Sequence, residues 1–260
     1  MSRLEEVLAD LQAEGDQLED LVVVLDEEGW RTPTPAAGWD VAHQVAHLAW
    51  TDEVAVLAAT GKDAWDAAVA DALADPDGFV DAQAGTGAAV PPDELLARWR
   101  TARAALVETL RAMPDGTKIP WYGPPMSATS MATARFMETW AHARDVAAAL
   151  GVELPPKDRV RHVVHIGVRT RDFAYRNRGL EPPAEELHVS LVLPSGEPLT
   201  YGPPDAAQAV TGSAYDFALL VTQRLHRTDA DLCATGADAD AWLDLAQAFA
   251  GPPGKGRAPR

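Results

Sequence analysis

The chain carries a single cysteine, Cys233, in 260 residues. That excludes an intramolecular disulfide and any multi-thiolate metal site. It leaves Cys233 to be read as a small, partly buried apolar residue rather than a nucleophile. Positive charge is also scarce: 22 Lys and Arg stand against 39 Asp and Glu, a net charge of -17. A surface so acidic repels phosphate backbones and anionic lipid, so neither nucleic acid nor a membrane is expected as a partner. Long apolar runs are missing, and Leu21 to Leu25 is far too short to span a bilayer. The opening residues, Met1 to Glu6, turn acidic at once. No secretory leader is expected from them, and the expected location is cytoplasmic. There is no repeat of fixed period, no Walker A loop, no dinucleotide-type glycine pattern and no Gly-x-Ser-x-Gly elbow. Thr211-Gly212-Ser213 is a turn without those neighbours, so nucleotide-dependent chemistry is disfavoured.

What is present is enough apolar material for a core. The hydrophobic fraction is 47%, which suits a globular chain of one large domain or two modest ones. Leu4, Val7, Leu8, Leu11, Leu18, Leu21, Val22 and Leu25 recur at helical steps and predict a helix over Arg3 to Glu28. After a Pro/Gly-rich loop over residues 31–38, Asp40 caps a second helix from Val41 to about Thr60. Residues 61–92 read as short helix and loop, with turn signals at Asp75-Pro76-Asp77-Gly78 and Gly85-Thr86-Gly87. A third helix opens at Pro91-Pro92-Asp93 and stops before Pro114. Ser127 or Ser130 caps a fourth, which ends near Leu150 with Gly151 just beyond it.

After Pro155-Pro156 the pattern changes. A helix over Asp158 to Asn177 precedes strand-like alternation at Leu187 to Leu193, shorter strands at Pro198 to Tyr201 and Ala209 to Thr211, and helices over Ala214 to Leu225 and Asp240 to Ala250. The expected fold class is α+β: a four-helix bundle over residues 1–152, a smaller α+β domain over 153–251, and a mobile tail over 252–260.

Glu138 and His142 stand four apart on the fourth helix, so both side chains share one face about a turn apart. His43 and His47 have the same spacing on the second helix. Two inward-facing helices can supply three ligands and leave further positions open, as in a catalytic metal site. Spacing alone leaves this level with hydrogen-bonded core histidines. His43 could be a fourth ligand, an acid–base group or a solvent-facing residue. Asp145 could orient a ligand from behind or be an exposed helix acid. His162 and His165, with Arg159, Arg161, Arg169 and Arg171, form a basic stretch that reads as a solvated helix face before an anion-facing one. Trp121 and Tyr122 could wall a pocket or pack against the bundle end.

Gly38-Trp39-Asp40-Val41 and Val45-Ala46-His47-Leu48, with Glu138-Thr139-Trp140-Ala141-His142-Ala143-Arg144-Asp145, resemble the DinB-like metalloproteins. The closer likeness is to the N-terminal domain of mycothiol-dependent maleylpyruvate isomerases. Residues 121–127, 210–213 and 246–253 look like a family that carries this isomerase-type domain at full length, so the resemblance runs through both halves of the chain. It implies a DinB-like four-helix bundle with one divalent metal on His47, Glu138 and His142. Two imidazoles and a carboxylate suit zinc, and also nickel, iron or manganese. It further implies mycothiol, a low-molecular-weight thiol, as cosubstrate for isomerase or S-transferase chemistry on a small substrate. Arg224 falls where the family's second domain supplies an arginine to the active site, and its fork of donors suits a substrate carboxylate. Its other reading is a surface arginine late in a helix. Two alternatives stay open: a hydrolase or lyase-like enzyme using metal-activated water, and a metal-containing small-molecule binding protein without turnover. An exposed apolar bundle face could form a homodimer.

Overall fold

The computed structural model describes residues 1–259, and Arg260, the last residue of the expected tail, lies outside them. The chain divides into two compact units, Met1–Leu154 and Pro155–Arg260. It is an α+β protein, as its pattern predicts.

The first unit is helical. Helix α1 (Arg3–Val22) starts where Ser2 accepts from the backbone N–H of Glu5, with Glu5 and Glu6 in the first turn facing the positive end of the helix dipole. It ends at Val22 rather than Glu28. Asp26 accepts from Gly29 N–H and opens a separate short helix, α2 (Glu27–Trp30). Helix α3 (Val41–Thr60) is followed by α4 (Lys62–Ala74) and α5 (Phe79–Ala88), which occupy the stretch expected to be irregular. Helix α6 (Pro92–Ala112) and α7 (Ala128–Leu150) complete the unit. Ser127 caps α7 and Gly151 closes it at φ 65°.

The four long helices pack side by side: α3 against α6 and α7, and α1 against α6 and α7. Helix α3 is the innermost, touching α4 and α5 as well, so it is apolar almost all round. Leu18, Val22, Val41, Val45, Leu48, Leu95, Trp99 and Val146 form its core with relative exposures of 1% or less. Gly85 and Gly87 do not break α5 into a loop. A Cβ on Gly87 would stand 2.8 Å from Ala46 Cβ, so the glycine lets α5 lie directly on α3.

The second unit begins with a short 3-10 turn (Asp158–Val160) and two helices, α8 (Arg161–Arg169) and α9 (Arg171–Arg176), where one helix is expected. The break is at Thr170. Its hydroxyl donates to the Gln247 carbonyl at 2.7 Å and folds back on Ile166 and Gly167, drawing the chain out of helical continuation. Strands β1 (Leu187–Val192), β2 (Pro198–Tyr201), β3 (Gln208–Ser213) and β4 (Leu232–Thr235) form one sheet in the order β2-β1-β3-β4. β1 pairs parallel with β3, and the outer pairs are antiparallel. Helix α10 (Ala214–Val221) follows β3, and α11 (Ala237–Leu245) follows β4. Strand β4 is too short to announce itself in the sequence. It places Cys233 on its outward-facing side, so the thiol is exposed rather than partly buried. No helix among the described residues is long and apolar enough to cross a membrane.

Candidate metal centre

The loop before α3 is folded tightly enough to hold its first turn. Thr34 N–H donates to the Trp39 carbonyl at 2.8 Å and Val41 N–H to the Thr32 carbonyl at 3.2 Å. The Asp40 carboxylate then accepts from His43 N–H at 2.9 Å, and the His43 ring nitrogen Nδ1 meets the Asp40 backbone N–H at 3.5 Å, forming a reciprocal cap with the ring also against the Asp40 carboxylate. This engages His43 at the helix start. One turn on, His47 is carried into the interior at 8% exposure. From α7, Glu138 and His142 project one turn apart, and His142 is 9% exposed.

These three residues converge. Glu138 Oε2 lies 3.2 Å from His142 Nε2 and 3.4 Å from His47 Nε2. The two imidazole centroids are 4.7 Å apart. Each residue offers one donor atom, and the three atoms lie within 4.8 Å of one another. Burial works to raise the Glu138 carboxyl, but hydrogen bonds to His142 and His47 and the charge of both rings outweigh it. The group is held well below the ordinary carboxylate range. An ionised carboxylate facing the lone pairs of two imidazoles is a repulsive arrangement. It is relieved by an Nε2–H on the rings, by protonation of the rings, or by one metal ion held among the three donors. Two nitrogens and one oxygen are a donor set that fits a divalent ion and leaves positions free.

Aromatic rings surround the trio. Trp39 stacks on His142 (centroids 6.0 Å apart, 17° between planes) and also meets His47 at 5.3 Å and His43 at 6.3 Å. On the other flank Trp50 stands 5.9 Å from His47, Phe79 lies 5.2 Å from Trp50, and Tyr122 lies 6.2 Å from Phe79. Tyr122 and Trp121 both pack on Trp65, the latter stacked at 5.9 Å. The proline-stiffened loop is thus joined to an aromatic run that starts at His47.

Other candidates fall differently. His43 is outside the converging trio, engaged with Asp40 beside Trp39. Asp145 is buried at 2% exposure, so it is not an exposed helix acid. His162 is buried too, and His165 packs against Tyr201 at 5.9 Å, so the two histidines do not lie on a solvated face, while Arg169 beside them is exposed. Arg224 belongs to the second unit. It does not lie late in a helix: α10 ends at Val221, and Gln223 turns the chain through φ 61° just before it. Arg224 is half-buried and donates to the Thr222 carbonyl at 2.5 Å. Two residues near the trio escaped sequence reasoning. Gln44 is fully buried beside His142, and Thr34 is hydrogen-bonded to it. The one signal for Gln44 was its place three residues before His47, on the same face of α3.

Fold and site together define an α+β protein whose helical unit gathers two imidazoles and a carboxylate at one point. The chain belongs to the family of the mycothiol maleylpyruvate isomerase N-terminal domain, which matches residues 11–147. Two uncharacterized proteins of Mycobacterium tuberculosis, from strains CDC 1551 / Oshkosh and ATCC 25618 / H37Rv, are each 55% identical to it over 250 residues. The alignment covers 96% of this chain and 97% of theirs. Among solved structures, the mycothiol-dependent maleylpyruvate isomerase and a histidine-to-alanine mutant of it superpose with a TM-score of 0.61 at 17% identity. They cover 89% of this chain and 92% of theirs, a likeness of fold.

Proposed function

We propose that the protein is a divalent-metal-dependent enzyme that uses a low-molecular-weight thiol, mycothiol, in isomerase or S-transferase chemistry on a small organic substrate. The observation that carries this reading is the convergence of His47, Glu138 and His142 inside a chain of the mycothiol maleylpyruvate isomerase family. His47 and His142 would hold the ion through Nε2 and Glu138 through its carboxylate. When bound, such an ion supplies Lewis acidity and lowers the pKa of a thiol or water that meets it.

The chain's own residues set the conditions for that chemistry. Trp39 lies over the imidazoles and keeps water from that side of the ligands. Trp50, Phe79 and Tyr122 offer an apolar wall leading away from His47. The helical unit that carries His47 and His142 has no cysteine, the chain's one thiol being Cys233 of the second unit, which is compatible with a thiol supplied from outside. The assignment of Arg224 to a substrate carboxylate, and of His43 to proton transfer, rests on resemblance and residue chemistry. Zinc suits the donor set best, with nickel, iron and manganese within its range.

The test is thermal unfolding of the zinc-loaded protein with and without mycothiol, followed by assay for thiol adducts of electrophilic alkenes. A ligand present at 100 times its Kd adds about 2.7 kcal/mol, enough to raise Tm visibly. A zinc-loaded protein whose Tm is unmoved by mycothiol, and which forms no adduct, would rule out the thiol reading. Turnover of an ester or amide by the same protein would favour water activation.

A further inference from the structure

We infer that Gln44 is the positioning residue that selects the ligating form of His142, through a hydrogen-bond relay that begins at the backbone of Trp39. The inference rests on the metal reading above and concerns how one ligand is made ready.

The relay can be followed donor by donor. The Thr34 hydroxyl lies 2.9 Å from the Trp39 carbonyl oxygen. A carbonyl only accepts, so the Thr34 proton is committed there. Thr34 Oγ1 therefore acts as acceptor toward Gln44 Nε2, 2.8 Å away. With its NH₂ group so placed, the Gln44 amide turns its oxygen to His142 Nδ1, with which it is in hydrogen-bond contact. An amide oxygen can only accept, so the ring nitrogen that faces it is the donor. The His142 ring therefore carries a proton on Nδ1, which leaves Nε2, 3.2 Å from Glu138 Oε2, as the nitrogen that would ligate an ion. The opposite tautomer would set two acceptors against each other inside the core and aim an N–H at the ion.

Burial gives the relay its selectivity. Gln44 is 0% exposed, so no water substitutes for either partner of its amide. Trp39 acts twice on the same ligand: its carbonyl anchors the relay that reaches the ring edge, and its indole stacks on the ring face. His47 is held differently. Its Nδ1 is buried with no hydrogen-bond partner among the described residues, and its ring is held by Trp39 and Trp50. His142 is thus the ligand whose tautomer is set by hydrogen bonding, and Gln44 sets it.

The experiment compares the full-length parent with Gln44→Met, Gln44→Glu and Thr34→Val, all stripped of metal by chelator. Zinc affinity is measured by calorimetric titration. The tautomer is read from long-range 1H–15N correlations of the metal-free protein above the imidazole titration range. Outer partners of metal-bound histidines are worth about 10–100-fold in affinity. Gln44→Met should lose that much and no longer show His142 purely as the Nδ1–H form. Gln44→Glu, which keeps an acceptor at the same place, should recover most of the affinity. Thr34→Val, which leaves Gln44 in place but frees its amide, should shift the tautomer in the same direction. If the parent binds zinc and Gln44→Met matches both its Kd and its tautomer, the inference is overturned and the metal reading stands. If Gln44→Met does not fold, a parent-like Kd and tautomer in Thr34→Val overturns it equally. A parent that binds no zinc overturns the metal reading and this inference with it.

Discussion

Arg135 donates from Nε to Asp52 Oδ1 at 2.8 Å, with side-chain exposures of 2% and 3%. The same guanidinium reaches Thr51 Oγ1 at 2.6 Å, and the Thr51 hydroxyl donates to the His47 carbonyl at 2.7 Å. Arg135 precedes Glu138 by three residues, about one turn of α7. One buried cation therefore ties the helix that carries His47 to the helix that carries Glu138 and His142. It fixes the register in which the three donors meet.

Removing Arg135 should be costly, because it strands a buried carboxylate. Arg135→Met is expected to lose about 3–5 kcal/mol in urea unfolding, while a double change that also replaces Asp52 with Leu recovers much of it. A single variant within about 1 kcal/mol of the parent would show that the pair does not organise the core.

The same pair has a pH signature. Burial pushes the Asp52 carboxyl above its ordinary 3.8, although Arg135 pulls it down. The folded state then holds that proton more tightly than the unfolded chain does. The stability tied to Asp52 is full below the ordinary carboxylate range and is lost as pH rises through the raised folded value. Arg135→Met removes the main opposing influence. Its stability should fall more steeply than the parent's as pH rises above 3.8. Parallel stability–pH curves for the two proteins would contradict this.

Two glycines of α5 should respond in opposite directions. At Gly87 a Cβ would stand 2.8 Å from Ala46 Cβ and 3.1 Å from the Arg98 guanidinium. Gly87→Ala should therefore destabilise by about 1–3 kcal/mol through overpacking against α3. At Gly85 nothing lies within 4 Å. Gly85→Ala should gain up to about 1 kcal/mol from helix propensity. Chemical unfolding of both variants decides it, and equal effects would contradict the close approach of α5 to α3.

Trp39 is predicted to guard the ligands. Trp39→Ala removes the ring that stacks on His142 and meets His47. Loss of zinc to a competing chelator should accelerate by about tenfold, in the range seen when supporting groups of a metal site are removed. An unchanged rate would leave the indole as packing alone.

Much of the fold was legible in the sequence because the long helices carry strong signals. The apolar steps of α1 and α6, the Asp40 and Ser127 caps and the Gly151 stop all appear in the sequence. What escaped depends on contacts distant in the chain. The glycines of α5 look like loop until Ala46 is placed beneath them. The break at Thr170 is held by Gln247, far along the chain. Strand β4 is four residues long and owes its form to β3. At the site, spacing could set Glu138 and His142 on one face. It could not bring His47 to them, since that depends on the mutual register of α3 and α7, and there the family resemblance supplied the missing link. Gln44 left only its spacing from His47 and Thr34 left no signal, since a buried amide acquires meaning from the ring it faces and a loop hydroxyl from the amide it holds.

The most direct test is elemental analysis of the purified protein beside a folded His47→Ala/His142→Ala double variant. The account predicts about one equivalent of divalent metal in the parent and none in the variant, the ligands being those that converge on Glu138. A parent that takes up no metal even after incubation with zinc and nickel, or a variant that retains the parent's full equivalent, would contradict it.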